Sequence, residues 1–358
     1  MKNDLRVIFL ETTNLCNLNC IHCRRINKNN NQQLNFKEIK RLIDDISLQY
    51  SPLFVLSGGE PLMRKDIFEI IEYSATTGLA TALASNGTLI DQQIANKIKV
   101  SKLKRVSISL DGSNEEIHNY LRNEKDSYKK AISGIRSLIK EGVEVQVNCT
   151  VSRHNKDDLT NLFELCIKER VIALHFFLFV PVSCGLELKE KDQLNKYEYE
   201  SILEQIYILD KQNKIEIRAT CAPQYYRLLV QQGEPIKKVT KGCLAGYSVC
   251  FIASDGNVYP CGYLPISAGN IRKSSFSEIW ENGEIFKILR DENNLKGKCG
   301  ICEFKYICSG CRARAYSLYG DFLAEEPLCL YNPSVRGDII EAKSKIMKPY
   351  RKVWNYNF

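Results

Sequence analysis

A chain of 358 residues with 44% hydrophobic and 26% charged side chains has the composition of a globular protein with a sizeable core. Its length suits one large domain plus a smaller one. It holds no run of about eighteen apolar residues and no apolar leader with a small-residue cleavage site, which excludes a membrane span and a secreted product and leaves the cytoplasm as the expected compartment. The net charge of +8 favours an anionic ligand or a solvated lysine-rich surface.

From residue 6 to about 181 strand-like and helix-like periods alternate. Apolar runs of strand length are RVIFLET (6–12), PLFVLSG (52–58), ATALASN (80–86), RVSISLD (105–111), VEVQVNCTV (143–151) and ALHFFLFVP (173–181). Between them lie segments of helical period, including FKEIKRLIDDIS, DIFEIIEYSA, SYKKAISGIRSLIKEG and DDLTNLFELCIKER. Strict alternation implies parallel strands joined by helical crossovers. Six such units suit an α/β fold of partial (β/α)6 barrel type, with a doubly wound open sheet as the alternative. Either one gathers chemistry at the carboxyl ends of its strands.

The punctuation follows that rule. CNLNCIHC follows the first strand, GGEP (58–61) the second, NGT (86–88) the third, DGS (111–113) the fourth and VPVSCG (180–185) the sixth. A bridging region follows over 196–240, with a helix near 196–212, a strand KIEIRAT (214–220) and a helix containing APQYYRLLVQQ. From 241 to 333 the texture is cysteine-rich. SVCFIASDGNVYPCGY reads as a hairpin turning at Asp255-Gly256, and SFSEIWENGEIFKILRD as one helix. The lysine-rich tail, 334–358, reads as partly helical.

The fifteen cysteines fall in two fields: three at 16–23 and eight between 243 and 329, with four standing alone. In a reducing compartment clustered thiols read as metal ligands or redox groups. Four cysteines normally saturate a [4Fe–4S] cube, so Cys16, Cys20 and Cys23 would leave one iron open. A structural zinc site is closed by four ligands and would need His22 to join them.

Cys16-x3-Cys20-x2-Cys23 after a first strand resembles the signature of the radical S-adenosylmethionine (SAM) enzymes. The resemblance implies that SAM is the fourth ligand, chelating the open iron through its amino and carboxylate groups. Reductive cleavage then yields a 5′-deoxyadenosyl radical. It further implies that Gly58, Gly59, Glu60 and Pro61 receive the methionyl amino group. Asn86, Ser109 and Asp111 would contact methionine and ribose, Arg122 would pair with the SAM carboxylate, and His22 and Leu178 would flank the adenine.

Cys299-x2-Cys302-x5-Cys308-x2-Cys311, with Cys329 beyond and Cys243, Cys250 and Cys261 before, closely resembles the SPASM auxiliary-cluster domain. The pieces GNIRKSSFSEIW, GCRARAY and GD fit as well. The resemblance implies one cluster on Cys243, Cys250, Cys261 and Cys311, and another on Cys299, Cys302, Cys308 and Cys329. That makes three [4Fe–4S] clusters in all. Two zinc sites are the alternative that eight cysteines alone allow.

Segments across residues 5–333, including HFFLFVPVSCGLEL, RATCAPQYYRLL and VYPCGYL, are similar to the heme b synthases of the siroheme-dependent route. The implied reaction is oxidative decarboxylation of two propionates of Fe-coproporphyrin III to vinyl groups, with a small electron donor such as ferredoxin or flavodoxin. An anionic tetrapyrrole suits a basic chain. Arg218 and Arg227 are candidate carboxylate partners, Tyr225 and Tyr226 candidate macrocycle contacts, and His175 a core histidine or an iron contact. Cys184 departs from the family pattern at the barrel mouth and is a candidate catalytic thiol. Cys149, Cys166 and Cys221 read as packing thiols.

Other readings stay open. They are a peptide maturase forming thioether or carbon–carbon crosslinks, a sulfatase-maturing role, acetate removal from a siroheme derivative, and a zinc-stabilised binding protein. Cys16 lies too early for the peptide-recognition domain of many maturases. The chain shows no basic-aromatic stripe for nucleic acid and no membrane partner is expected.

Overall fold

The computed structural model describes residues 5–25, 32–188, 193–234 and 241–333. The tail read as partly helical lies outside the described residues. The strands are β1 (Val7–Glu11), β2 (Leu53–Ser57), β3 (Thr81–Ser85), β4 (Arg105–Ser109), β5 (Val145–Val151), β6 (Ala173–Leu178), β7 (Glu216–Thr220), β8 (Val249–Ile252), β9 (Asn257–Tyr259) and β10 (Gly269–Asn270). They form one sheet in the order β10-β9-β8-β1-β2-β3-β4-β5-β6-β7. All six expected βα units are present. The parallel run also continues past them at both edges, to β7 beside β6 and β8 beside β1. Thus the cysteine-rich segment hydrogen-bonds into the same sheet as the barrel.

Alternation along the strands sorts the residues by face. Ile8 and Leu10, Phe54 and Leu56, Val106 and Ile108, Val147 and Val151, and Leu174 and Phe176 are buried under the helices in the main core. The opposite, concave face carries a polar row in register: Ser107 beside Gln146, Ser109 beside Asn148, and Asn148 beside His175. A polar interior row is what an open barrel needs if water or a polar ligand enters it.

Local signals mark several helix starts. Asn35 and Asn195 open the helices Phe36–Gln49 and Lys196–Lys211 with capping boxes completed by Glu38 and Glu198. A short helix absent from the sequence reading, Glu115–Arg122, is capped by Asn114 and ends at Asn123 in the left-handed conformation, φ 53°. The single helix expected over SFSEIWENGEIFKILRD is two, Phe276–Asn282 and Glu284–Arg290, broken at Gly283. There the backbone leaves helical geometry, and a Cβ would lie 2.7 Å from the Ile279 carbonyl oxygen.

Candidate active site

The loop after β1 is held by the loop after β2 through backbone contact. Gly59 N donates to Thr13 O and Glu60 N to Leu15 O, each at 2.7 Å. A Cβ on Gly58 would stand 2.6 Å from Thr13 O and one on Gly59 2.2 Å from Leu15 O. Glycine is therefore required so that two main chains can touch immediately before Cys16.

Glu60 is fully buried, and both carboxylate oxygens are engaged. Oε1 accepts from Ser85 Oγ at 2.8 Å and Leu62 N at 3.2 Å, and Oε2 accepts from Asn86 N at 2.7 Å. The side chain ties β2 to β3. Burial pushes Glu60 up to about 7, against the three donated hydrogen bonds. A folded-state pKa above the ordinary carboxylate range stabilises at low pH, and that contribution is lost as pH rises toward about 7. Glu60→Gln should flatten this decline in urea unfolding of the apo-protein. An unchanged slope would show that Glu60 ionises normally.

Asn86 continues the network. Its Nδ2 donates to Asn17 Oδ1 at 2.9 Å and lies 4.0 Å from Cys16 Sγ, while Asn17 Nδ2 donates to Thr88 Oγ1 at 2.8 Å. Pro61 opens a 3-10 turn, Pro61–Met63. Ser109 ends β4 on the concave face.

Asp111 anchors a buried charge cluster beneath the cysteine loop. Arg122 Nε lies 2.8 Å from Asp111 Oδ2 as an ion pair, its N–H off the line of a hydrogen bond. Thr150 N donates to Asp111 Oδ1 at 2.8 Å, and His22 Nε2 is 3.6 Å from Oδ2. Burial raises the Asp111 carboxyl, but Arg122, His22 and His118 outweigh it and hold the pKa below the usual value. Burial lowers His22 to about 4, so this imidazole is neutral at physiological pH. Arg122 is buried, paired with Asp111, and approaches Cys20 Sγ with Nη1 at 3.9 Å, which places its guanidinium beside the cysteine loop.

Arg25, which the motif reading missed, donates Nε to Cys23 Sγ at 3.3 Å and Nη1 to Asn14 O at 2.6 Å. Burial raises the Cys16 and Cys20 thiols, while Arg25 and Arg122 respectively work against that rise. Two guanidiniums beside three thiols lessen the cost of holding thiolates in a partly buried site. Leu178 is 1% exposed and belongs to the main core, which gives it a packing role. Cys184 lies in a 3-10 turn, Ser183–Leu186, that packs against the cysteine loop through a hydrogen bond from Ser183 Oγ to Arg25 O.

The second field is also ordered by tertiary contacts. Cys299, Cys302, Cys308 and Cys329 line one pocket together with Gln224 and Arg227. Backbone amides already point at two of the sulfurs: Glu326 N to Cys299 at 3.3 Å and Gly310 N to Cys308 at 3.4 Å. Four thiols around a void, with N–H donors on the sulfurs, fit an iron–sulfur cube. All fifteen cysteines are free thiols.

Of the implied set Cys243, Cys250, Cys261 and Cys311, Cys261 and Cys311 lie in one small cluster. Cys250 is fully buried on β8 opposite Ile8, in the main apolar core. Cys221 instead packs with Cys261 and Cys311. Arg227, a candidate for carboxylate binding, is committed to Glu200, with Nη2 2.6 Å from each carboxylate oxygen. Arg218 pairs with Glu216 at 2.7 Å. His175 lies 3.0 Å from Gln146 Nε2 and 3.6 Å from Glu216, at the start of β6 and away from the cysteine loop. Tyr225 is buried and meets Tyr226 edge-on at 6.2 Å.

A three-cysteine loop braced at the carboxyl ends of parallel strands, with a second thiol-lined cavity in the carboxyl-terminal segment, defines a cluster-dependent SAM-binding enzyme. The sequence profile of the Radical SAM superfamily matches residues 10–166, and that of the SPASM iron–sulfur cluster-binding domain matches 243–311. The chain belongs to the radical SAM superfamily, and to the enzymes within it that carry a SPASM domain. It is 44% identical to the AdoMet-dependent heme synthase of Methanosarcina barkeri, over 93% of this chain and 98% of that one. It is 38% identical to the same-named protein of Nitratidesulfovibrio vulgaris over 92% and 93%. An Fe-coproporphyrin III synthase of M. barkeri is 29% identical over 92% and 88%. Among solved structures, SuiB of Streptococcus suis bound to its precursor peptide SuiA shares the fold, with TM-score 0.74 and 15% identity over 92% of this chain and 76% of that one. Among the described residues no helix is long and apolar enough to cross a membrane.

Proposed function

We propose that the protein is a heme synthase that oxidatively decarboxylates two propionates of Fe-coproporphyrin III to vinyl groups. Similarity to a heme synthase at 44% identity over nearly the full length of both chains carries this reading. On this reading Cys16, Cys20 and Cys23 hold a [4Fe–4S] cube, and two further cubes lie in the SPASM segment. The cube and SAM together supply a 5′-deoxyadenosyl radical that takes one hydrogen atom from substrate. Each propionate, once one β-hydrogen atom is gone, would lose carbon dioxide and pass one electron to an auxiliary iron–sulfur cluster to become a vinyl group, which balances atoms and charge.

The chain's own contribution is placement and charge. Gly58 and Gly59 hold the cysteine loop against β2, and Asn86 and Asn17 fix its outer side. Arg25 and Arg122 offset the thiolate charge. The polar row of Ser109, Asn148 and Thr150 faces the concave side, where a carboxylate-bearing substrate would be solvated and hydrogen-bonded. A small ferredoxin or flavodoxin is the expected donor, and the cytoplasm the expected compartment.

Anaerobic incubation with reductant, SAM and Fe-coproporphyrin III should give heme b, detected by mass spectrometry as two successive decarboxylations. Unchanged porphyrin mass alongside abundant 5′-deoxyadenosine would reject this substrate while keeping the radical chemistry. Deacetylation of a siroheme derivative in a parallel incubation would move the protein to the neighbouring tetrapyrrole reaction.

A further inference from the structure

The residue after β7, Cys221, has the backbone of a special position. Its φ is 55°, in the left-handed region that a non-glycine residue rarely occupies. Its carbonyl oxygen is held there by Arg314 Nη2 at 2.9 Å and Tyr199 Oη at 3.3 Å. Arg314 is fully buried, bonds the Leu178 and Phe179 carbonyls as well, and pairs with Glu326, whose Oε2 accepts from Cys311 N at 2.6 Å. One guanidinium thus clamps the ends of β6 and β7 to the segment bearing Cys311.

A second contact is independent of that clamp. A Cβ on Gly242 would lie 2.6 Å from Cys308 O and 2.8 Å from Pro223 Cβ. Only glycine lets the 221–223 turn, the chain entering Cys243 and the 308–311 segment meet. Cys243 N in turn donates to Cys308 O at 3.2 Å. The outcome is that Cys221 packs with Cys261 and Cys311 in one small cluster and lies within electrostatic reach of Cys243. Cys250 faces the main core on the other side of β8, where the charged neighbour acting on it is Arg290.

We propose that Cys221, and not Cys250, is the fourth protein ligand of the first auxiliary cluster, with Cys243, Cys261 and Cys311. The Cys221 thiol gives up its proton and a sulfur–iron bond forms; no electron is exchanged. With four thiolates the cube has no vacant iron, so it carries electrons and does not bind substrate. The 221–223 turn then joins the barrel to the SPASM segment through the cluster itself. The inference rests on the presence of auxiliary clusters but not on the porphyrin substrate, so a failed porphyrin assay leaves it standing.

The test is iron and sulfide content with electron paramagnetic resonance on anaerobically reconstituted full chain, wild type against Cys221→Ala, Cys221→Ser and Cys250→Ala. The wild type should hold about twelve irons. Cys250→Ala should match it, and should keep the SAM-induced change in the amino-terminal cluster signal. Cys221→Ala should either lose about four irons or keep them and gain a cluster signal that shifts with added cyanide, the mark of an opened iron. Cys221→Ser, which nearly preserves side-chain volume, should retain the cluster with altered g values. Wild-type iron and a cyanide-indifferent spectrum in Cys221→Ala would overturn the assignment. So would loss of about four irons from Cys250→Ala with the SAM response intact.

Discussion

Gly59→Ala is expected to leave the protein without a functional amino-terminal cluster. The added Cβ would sit 2.2 Å from the Leu15 carbonyl oxygen and 2.7 Å from its carbon, both main-chain atoms that no rotamer change can move aside. One of the two loops must shift, and the backbone between Leu15 and Cys16 leaves no slack to absorb it. A displacement of about 1 Å at a reacting site costs about 100-fold in rate, so 5′-deoxyadenosine formation should fall at least that far. Iron content should drop by about four per chain. Gly78→Ala is the control: its Cβ meets nothing, and only its φ of +81° is penalised. That variant should lose about 1 kcal/mol of stability and no iron. A Gly59→Ala protein with full iron and full SAM cleavage would refute the view that close main-chain approach positions Cys16.

Arg122→Ala is expected to have the largest effect on stability. It removes the cation from a buried pair and leaves Asp111, fully buried, with an uncompensated charge. Such truncations cost about 3–5 kcal/mol. The pH dependence distinguishes this cause from simple loss of packing. In the wild type Asp111 sits below its ordinary range, so its contribution is complete at neutral pH and is lost only as pH falls through the depressed folded value. Without Arg122, burial dominates and raises the Asp111 pKa. Protonation then relieves the variant, and its deficit should shrink between pH about 7 and about 5. Urea unfolding of the anaerobic apo-proteins measures both. A deficit independent of pH would show that Arg122 acts through shape alone. Arg122→Ala with Asp111→Asn should recover part of the loss.

Much of the fold was legible because its cause is local. Alternating periods of two and 3.6 residues specify strand and helix wherever they occur, and asparagine caps at 35 and 195 mark helix starts. The helix Glu115–Arg122 escaped because its eight residues are mostly polar and carry few apolar repeats. The break at Gly283 escaped because a lone glycine inside a helical period is tolerated as often as it ends a helix. The cysteine loop, the glycines after β2 and the thiols at 299–308 are short-range patterns, and each lies where the spacing put it.

The amino-acid sequence by itself determined the class of this protein: three closely spaced thiols after a first strand, a glycine pair after the second, and a carboxyl-terminal thiol field. Tertiary structure alone decided the partners of the charged and sulfur-bearing side chains. Arg122 turned inward to Asp111, Glu60 braced β3, and Arg227 went to Glu200. Cys221, alone in the chain, and Cys250, inside the carboxyl-terminal thiol field, went to opposite environments. The reason is that burial in a low-dielectric interior makes every charge and thiol answer to neighbours brought from distant parts of the chain. Those neighbours are set by how the loops after the strands meet and by where β7 and β8 flank the six barrel strands, which no local spacing records.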